Sequence, residues 1–184
     1  MEYLNLNRKI IVLTGASGWV GRNFLNELQK KITREEFNQK VIAFGSKKSE
    51  ILSTYYKSEL KIPIFPLDSI EKIIKERENI LLIHTAFITR EKIDILGINS
   101  YINLNKNITK IVCDFLEKCF NPKALVISSG AATQLELKNI SPEILLKNPY
   151  AFLKLEEENK ISQRCESFIL RIYALTGKFI RDPN

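Results

Sequence analysis

Eight consecutive residues, Thr14-Gly15-Ala16-Ser17-Gly18-Trp19-Val20-Gly21, constrain this chain more tightly than any other stretch. They read TGxxGxxG and lie between an apolar, strand-like run at 10–13 and a helical pattern at 21–31. In such a strand–turn–helix unit Gly15 permits the tight turn, Gly18 lets backbone approach a diphosphate, and Gly21 lets helix pack closely on strand. The helix N-terminus, with free N–H groups and the positive end of its dipole, favours an anion at the same place. Ser17, Trp19, Val20 and Arg22 are the neighbours expected to contact it.

The rest of the chain continues the alternation. Short runs rich in Ile, Val and Leu at 41–44, 62–65, 80–84, 124–128 and 168–173 read as strands covered on both faces, because their polarity mostly does not alternate. Helical patterns fill the gaps at 69–77, 101–118 and 148–162. In the second, Ile108, Ile111, Val112, Phe115 and Leu116 mark one face. At the third, Asn148 suits an N-cap and Pro149 the first helical position. Right-handed crossovers between parallel strands then give an α/β, doubly wound parallel sheet of about six strands, a Rossmann fold with helices on both faces. At 184 residues, 45% hydrophobic and 27% charged, the chain fits a single domain over 1–184 and is neither disordered nor fibrous.

Other features narrow the function. No apolar run approaches the roughly 18 residues of a membrane span, and the polar start lacks a signal-peptide core. A cytoplasmic protein with no membrane partner is expected. Cys113, Cys119 and Cys165 form no CxxC pair and are expected to be reduced and idle. With His84 the only histidine, no metal site is expected. The net charge of +7 comes largely from scattered lysines. It suits a solvated surface or attraction of a nucleotide better than it suits nucleic acid.

In a dinucleotide fold, an acidic residue at the end of the second strand binds the ribose 2′-hydroxyl of NAD. Here that strand runs into Phe44-Gly45-Ser46-Lys47-Lys48, with no carboxylate before Glu50. Ser46 can hydrogen-bond a 2′-phosphate, and Lys47 or Arg22 can supply charge, so NADP is expected ahead of NAD. Further on, Tyr150-Ala151-Phe152-Leu153-Lys154 is a YxxxK at the start of a helix, which puts both side chains on one face. A free phenol, with a pKa of about 10, is a poor base at neutral pH. A nearby ammonium favours the phenolate. Tyr150 can then exchange a proton with a substrate oxygen while hydride moves at the nicotinamide. The fifth predicted strand ends in Ser128-Ser129-Gly130, at the same sheet edge, where Ser129 can hold the reacting oxygen. A Tyr and a Lys four apart also occur on solvated helix faces; the glycine loop, strand-end serine and YxxxK in this order are far more specific.

These motifs resemble those of the extended short-chain dehydrogenase/reductases, NAD(P)-dependent epimerases, dehydratases and reductases that act mostly on nucleotide sugars. Asp68 matches the aspartate that contacts adenine, with Ser69 beside it. Ile83-His84-Thr85-Ala86 resembles the fourth-strand H-x-A-A motif, with Phe87 in place of its last alanine, and His84 is read as structural. Asn105, four before Thr109, matches an NxxxT pattern, and Arg171-Ile172-Tyr173 with Gly177 resembles R-x-x-N-x-x-G. The resemblance implies that Ser129, Tyr150 and Lys154 are catalytic and that Lys154 also holds the nicotinamide ribose. It implies that Thr85, Ala86, Asn105 and Tyr173 contact the cofactor.

The sequence departs from the pattern at Ala132-Thr133-Gln134, where V-Y-G is usual, at Ala174, where asparagine is usual, and at Lys178, where proline is usual. Family members continue past the position of Asn184 with a C-terminal substrate domain. Its absence here implies weak turnover by this chain and an exposed edge on the sixth predicted strand. A homodimer through exposed helix faces, one of them bearing Cys113 and Phe115, is expected. The alternative is a non-catalytic NAD(P)-binding module or inactive fragment. A basic nucleic-acid binder rests on net charge alone.

Overall fold

A computed structural model describes residues 10–55, 58–136 and 142–174, so Gly177 and Lys178 lie outside it. The described strands are β1 (Ile10–Thr14), β2 (Val41–Gly45), β3 (Ser49–Tyr55), β4 (Ser58–Pro66), β5 (Ile80–His84), β6 (Lys123–Ser129) and β7 (Glu166–Ile172). The helices are α1 (Trp19–Lys31), α2 (Arg34–Lys40), α3 (Ile70–Ile73), α4 (Ile93–Leu96), α5 (Ile98–Glu117), α6 (Thr133–Glu136), α7 (Pro142–Lys147) and α8 (Pro149–Ser162). One sheet runs in the order β3-β4-β2-β1-β5-β6-β7. Every neighbouring pair is parallel except β3 with β4. Without β3 the order is that of a doubly wound dinucleotide fold, and the winding reverses between β1 and β5, where a crevice opens at the strands' carboxyl ends.

The strand residues explain the layering. In β1, Ile11 and Leu13 point into one core with Leu25 of α1 and Phe37 of α2. Val12 points into the other, with Ile70, Val112, Phe115 and Leu116 from α3 and α5 and Ile161 from α8. β5 divides in the same way, Leu81 and Ile83 against Ile80 and Leu82. Both faces are apolar, so helices cover both.

Seven strands stand where about six were expected. The extra one, β3, pairs antiparallel with β4 from Ser49↔Ile64 to Tyr55↔Ser58. It is an edge strand of mixed polarity, Ser-Glu-Ile-Leu-Ser-Thr-Tyr, and so lacks the continuous apolar run that marks the buried strands. Sequence reading also passed over α2, although Thr33-Arg34-Glu35-Glu36 carries a capping-box pattern. The Glu36 amide donates to Thr33 Oγ1 at 3.2 Å, and the Thr33 amide donates to Glu36 Oε2 at 3.1 Å. The α8 cap is as expected: the Ala151 amide donates to Asn148 Oδ1 at 3.3 Å, with Pro149 opening the helix.

The expected dimer face needs correction. Cys113 and Phe115 are buried against the sheet, because they lie on the apolar side of α5. Among the described residues, the sixth expected strand, β7, lies at the sheet edge, with Phe168 and Leu170 exposed. Among the described residues, no helix is long and apolar enough to cross a membrane.

Candidate functional site

β1 delivers the chain to the crevice at Thr14. Gly15 follows at φ +71°, and a Cβ there would lie 2.6 Å from the Ala86 nitrogen and from the Thr85 carbonyl carbon. Both a left-handed conformation and a backbone contact therefore demand glycine. A Cβ on Gly21 would lie 2.3 Å from the Gly15 carbonyl oxygen, so that glycine lets α1 press on the loop. α1 begins with no side-chain cap and no acidic residue in its first turn, which leaves its N–H groups and dipole to an anion. Trp19, Val20 and Gly21 form that turn, and Arg22 Nε donates to the Ser17 carbonyl at 3.1 Å. What this cradle fits chemically is a diphosphate.

A cavity of about 410 Å³ opens beside the loop. Its lining brings together Gly15, Ser17, Gly18, Ser46, Asp68, Thr85 and Ala86 of the expected cofactor residues. Phe87, Ile88 and the α5 residues Leu104, Asn107, Ile108 and Ile111 complete the wall toward β5 and α5. Asp68 and Ser46 stand just past the ends of β4 and β2, neighbouring strands, on the wall of this cavity. Trp19, Val20, Gly21, Arg22, Lys47, Ser69, Asn105, Lys154 and Tyr173 are not among the lining residues. Lys47 is exposed, and Ser69 Oγ donates to the Pro66 carbonyl at 2.6 Å. Asn105 is buried and pins the loop after β5: its Oδ1 accepts from the Ile88 amide at 2.8 Å, and its Nδ2 donates to the Ile88 and Tyr101 carbonyls. Tyr173 lies over Gly130, with its hydroxyl 3.1 Å from Thr133 Oγ1.

The Ser/Tyr/Lys set lies farther along the same strand edge, at β6 and α8. Ser129 ends β6, half-buried, with its oxygen accepting from the Ala131 amide at 3.2 Å. Tyr150 is half-buried in the first turn of α8, and its ring meets that of Phe87 edge-on at 5.7 Å. Lys154 is buried, and its ammonium donates to the Ile127 carbonyl at 3.0 Å and to Glu157 Oε2 at 2.8 Å. The same nitrogen stands 3.9 Å from the centroid of the Phe87 ring.

Glu157 is the centre of a buried polar chain that sequence reading missed. Its Oε1 is 2.9 Å from His84 Nε2, and His84 Nδ1 is 2.7 Å from Thr14 Oγ1. An ionised carboxylate only accepts, so Nε2 carries a proton, and in the neutral ring Nδ1 accepts from the Thr14 hydroxyl. Burial pushes the Glu157 carboxyl up, but the Lys154 ammonium and His84 pull it further down, so it stays below its ordinary range. His84 is thus structural, as expected: it ties the ends of β1 and β5 to α8. Glu158, next in sequence, accepts from the Ser128 hydroxyl and from Arg171 of β7. The available signal was spacing: three residues from Lys154 to Glu157 put them within reach on one helix.

Solved structures share this fold. The chain is similar to the UDP-glucuronic acid 4-epimerase from Bacillus cereus in complex with NAD, with 18% identity and a TM-score of 0.59 over 93% of this chain and 58% of that one. It is similar to a GalE-like L-threonine dehydrogenase from Cupriavidus necator, with 13% identity and a TM-score of 0.60 over 88% and 53%. A third is the UDP-glucose 4-epimerase from Thermus thermophilus in complex with NAD, with 15% identity and a TM-score of 0.59 over 88% and 54%. The chain spans little more than half the length of these structures, and at such identities the likeness establishes the fold. The chain matches no curated protein sequence. The family model for the NAD dependent epimerase/dehydratase family, however, matches residues 11–180. That match spans the glycine loop, β6 and the YxxxK of α8 together, and the chain belongs to this family.

Proposed function

We propose that residues 1–184 form the NAD(P)-binding domain of an oxidoreductase or epimerase acting at a carbinol or carbonyl carbon of a nucleotide-sugar-like substrate. The observation that carries this is the glycine cradle: an uncapped helix N-terminus opens beside a cavity whose far wall holds Asp68 and Ser46. Gly15, Ser17, Gly18 and the first turn of α1 would hold the diphosphate, and Asp68, with Ser69 beside it, the adenine. Ser46, Lys47 and Arg22 would meet a 2′-phosphate, which favours NADP over NAD. Thr85, Ala86 and the loop that Asn105 holds would flank the middle of the cofactor, with Tyr173 near its far end. A nicotinamide, when bound, supplies hydride transfer. Ser129 would orient the substrate oxygen, Tyr150 would exchange its proton, and Lys154 would favour the phenolate and hold a ribose hydroxyl. The nucleotide sugar is suggested by the epimerases among the similar structures, whose names state such substrates.

A titration of the purified chain with NADPH and NADH by calorimetry tests the cofactor reading. Tighter NADPH binding is expected, weakening in Ser46→Ala with Lys47→Ala; equal or tighter NADH binding removes the NADP preference. A second reading, a non-catalytic NAD(P)-binding module, is favoured by Lys154 being engaged with Glu157 and Phe87. In the enzyme reading, Tyr150→Phe abolishes any hydride exchange the chain shows yet leaves cofactor binding largely intact; exchange that persists undiminished in the variant removes the role of Tyr150. For assembly, β7 with exposed Phe168 and Leu170 offers an edge to a second copy. Light scattering that returns only monomer removes the homodimer.

A further inference from the structure

We propose that Phe87 divides the cofactor crevice, so that this chain grips the adenosine diphosphate part of a dinucleotide and leaves the other half unheld until the Phe87 ring moves. This deepens the cofactor reading above and rests on it. A dinucleotide in a doubly wound sheet lies across the switch point, with its diphosphate at the first helix and one half on either side. Here one half would face the ends of β2 and β4, and the other would cross the end of β5 toward β6 and α8. The loop that follows β5 therefore stands between the halves, and Phe87 is in that loop.

Two observations give the ring its role. The cavity includes Phe87 in its wall on the β5 side, while Ser129, Tyr150 and Lys154 take no part in the lining. Its volume of about 410 Å³ is near the small end of ligand pockets. Independently, the Lys154 ammonium is already satisfied. It has three N–H donors. Ile127 oxygen and Glu157 Oε2 accept from it, and the face of Phe87 lies 3.9 Å away, at cation–π distance. A sugar hydroxyl that is to meet this ammonium must take the place of the ring. The ring is braced as well: Tyr150 packs edge-on against it, and Asn105 fixes the next residue through both the Ile88 amide and its carbonyl. An alanine at this position would leave the ammonium open toward the cavity.

Calorimetry on the whole chain with ADP and NADH, and in parallel with adenosine 2′-phosphate 5′-diphosphate and NADPH, tests this. In wild type, each dinucleotide is expected to bind within about threefold of its matching mononucleotide, with nicotinamide emission close to that of the free compound. In Phe87→Ala the ratio of dinucleotide to mononucleotide affinity rises about tenfold or more, the worth of a hydrogen bond to a charged donor, and the emission changes. Wild-type binding of the dinucleotide at least tenfold tighter than the mononucleotide overturns the proposal alone. So does an unchanged ratio in a Phe87→Ala variant whose circular dichroism matches wild type. Should that variant not fold, Phe87→Leu and the wild-type ratio decide. Failure of folded wild type to bind either mononucleotide overturns the cofactor reading itself, and this proposal with it.

Discussion

Replacing Glu157 by glutamine puts the buried polar chain to a quantitative test. Glu157 is fully buried, and each of its oxygens serves a different partner, His84 at 2.9 Å and Lys154 at 2.8 Å. Glutamine keeps the shape but removes the charge: with its oxygen on Lys154, its amide nitrogen faces His84 Nε2, which accepts from it only by giving up the tautomer described above. The Lys154 ammonium then stays buried with no counter-charge, facing only neutral acceptors and the Phe87 ring. Removing one partner of a buried ion pair costs about 3–5 kcal/mol, a large part of the roughly 5–15 kcal/mol that holds a domain together. At about 2–4 °C per kcal/mol for a chain of this size, Tm should fall by about 6–20 °C. The control is Glu156→Gln, since Glu156 pairs with Lys160 at a partly exposed site; there the cost should be under about 1 kcal/mol.

The pH dependence sharpens the test. The native carboxyl of Glu157 is held below the ordinary value of 4.5. Its stabilisation is therefore complete above that value and is lost as the pH falls through the lowered native pKa. The gap between wild type and Glu157→Gln should be widest near neutrality and close in acid. Melting followed by circular dichroism across that range measures it. A variant that melts within about 2 °C of wild type at neutral pH, or a gap that persists unchanged into acid, refutes the reasoning. The double variant Lys154→Met with Glu157→Leu should cost less than the two single changes combined, because no charge is left unpaired.

Gly15→Ala forces φ +71° on a residue with a Cβ and drives that atom against the Ala86 nitrogen; it should cost about 1–3 kcal/mol and abolish NADPH binding, and wild-type affinity in calorimetry would contradict the cradle. Asn105→Ala removes both bonds to Ile88 and should destabilise by about 1–3 kcal/mol, with faster hydrogen exchange at the Ile88 amide; unchanged exchange there would exclude the pinning role. The Cys165 thiol is pushed up to about 11, by burial first and then by Cys113 and Cys119, and burial raises the other two as well. Iodoacetamide should therefore label the native protein slowly at neutral pH and all three cysteines quickly in denaturant; fast native labelling, read by mass spectrometry, would refute this.

What could be read from the sequence was whatever is encoded locally. The glycine loop carries its own explanation within eight residues, and the buried strands announce themselves by unbroken runs of Ile, Val and Leu. The Asn148–Pro149 start of α8 is equally local. β3 escaped because an edge strand needs only one apolar side, and its pairing with β4 lies in no run of residues. The candidate site divides in the same way. Tyr150 and Lys154 share a helix face at a spacing of four, but Lys154 and Glu157 do so at a spacing of three, and local geometry allows either partner. The choice is made by distant residues: His84 at the end of β5 takes the other Glu157 oxygen, and Phe87, three residues later, closes over the ammonium. In a chain with alanine at 87 the same YxxxK would leave its lysine open to the crevice. The motif therefore says which residues share a helix face, while a residue from a distant part of the chain decides what the lysine touches.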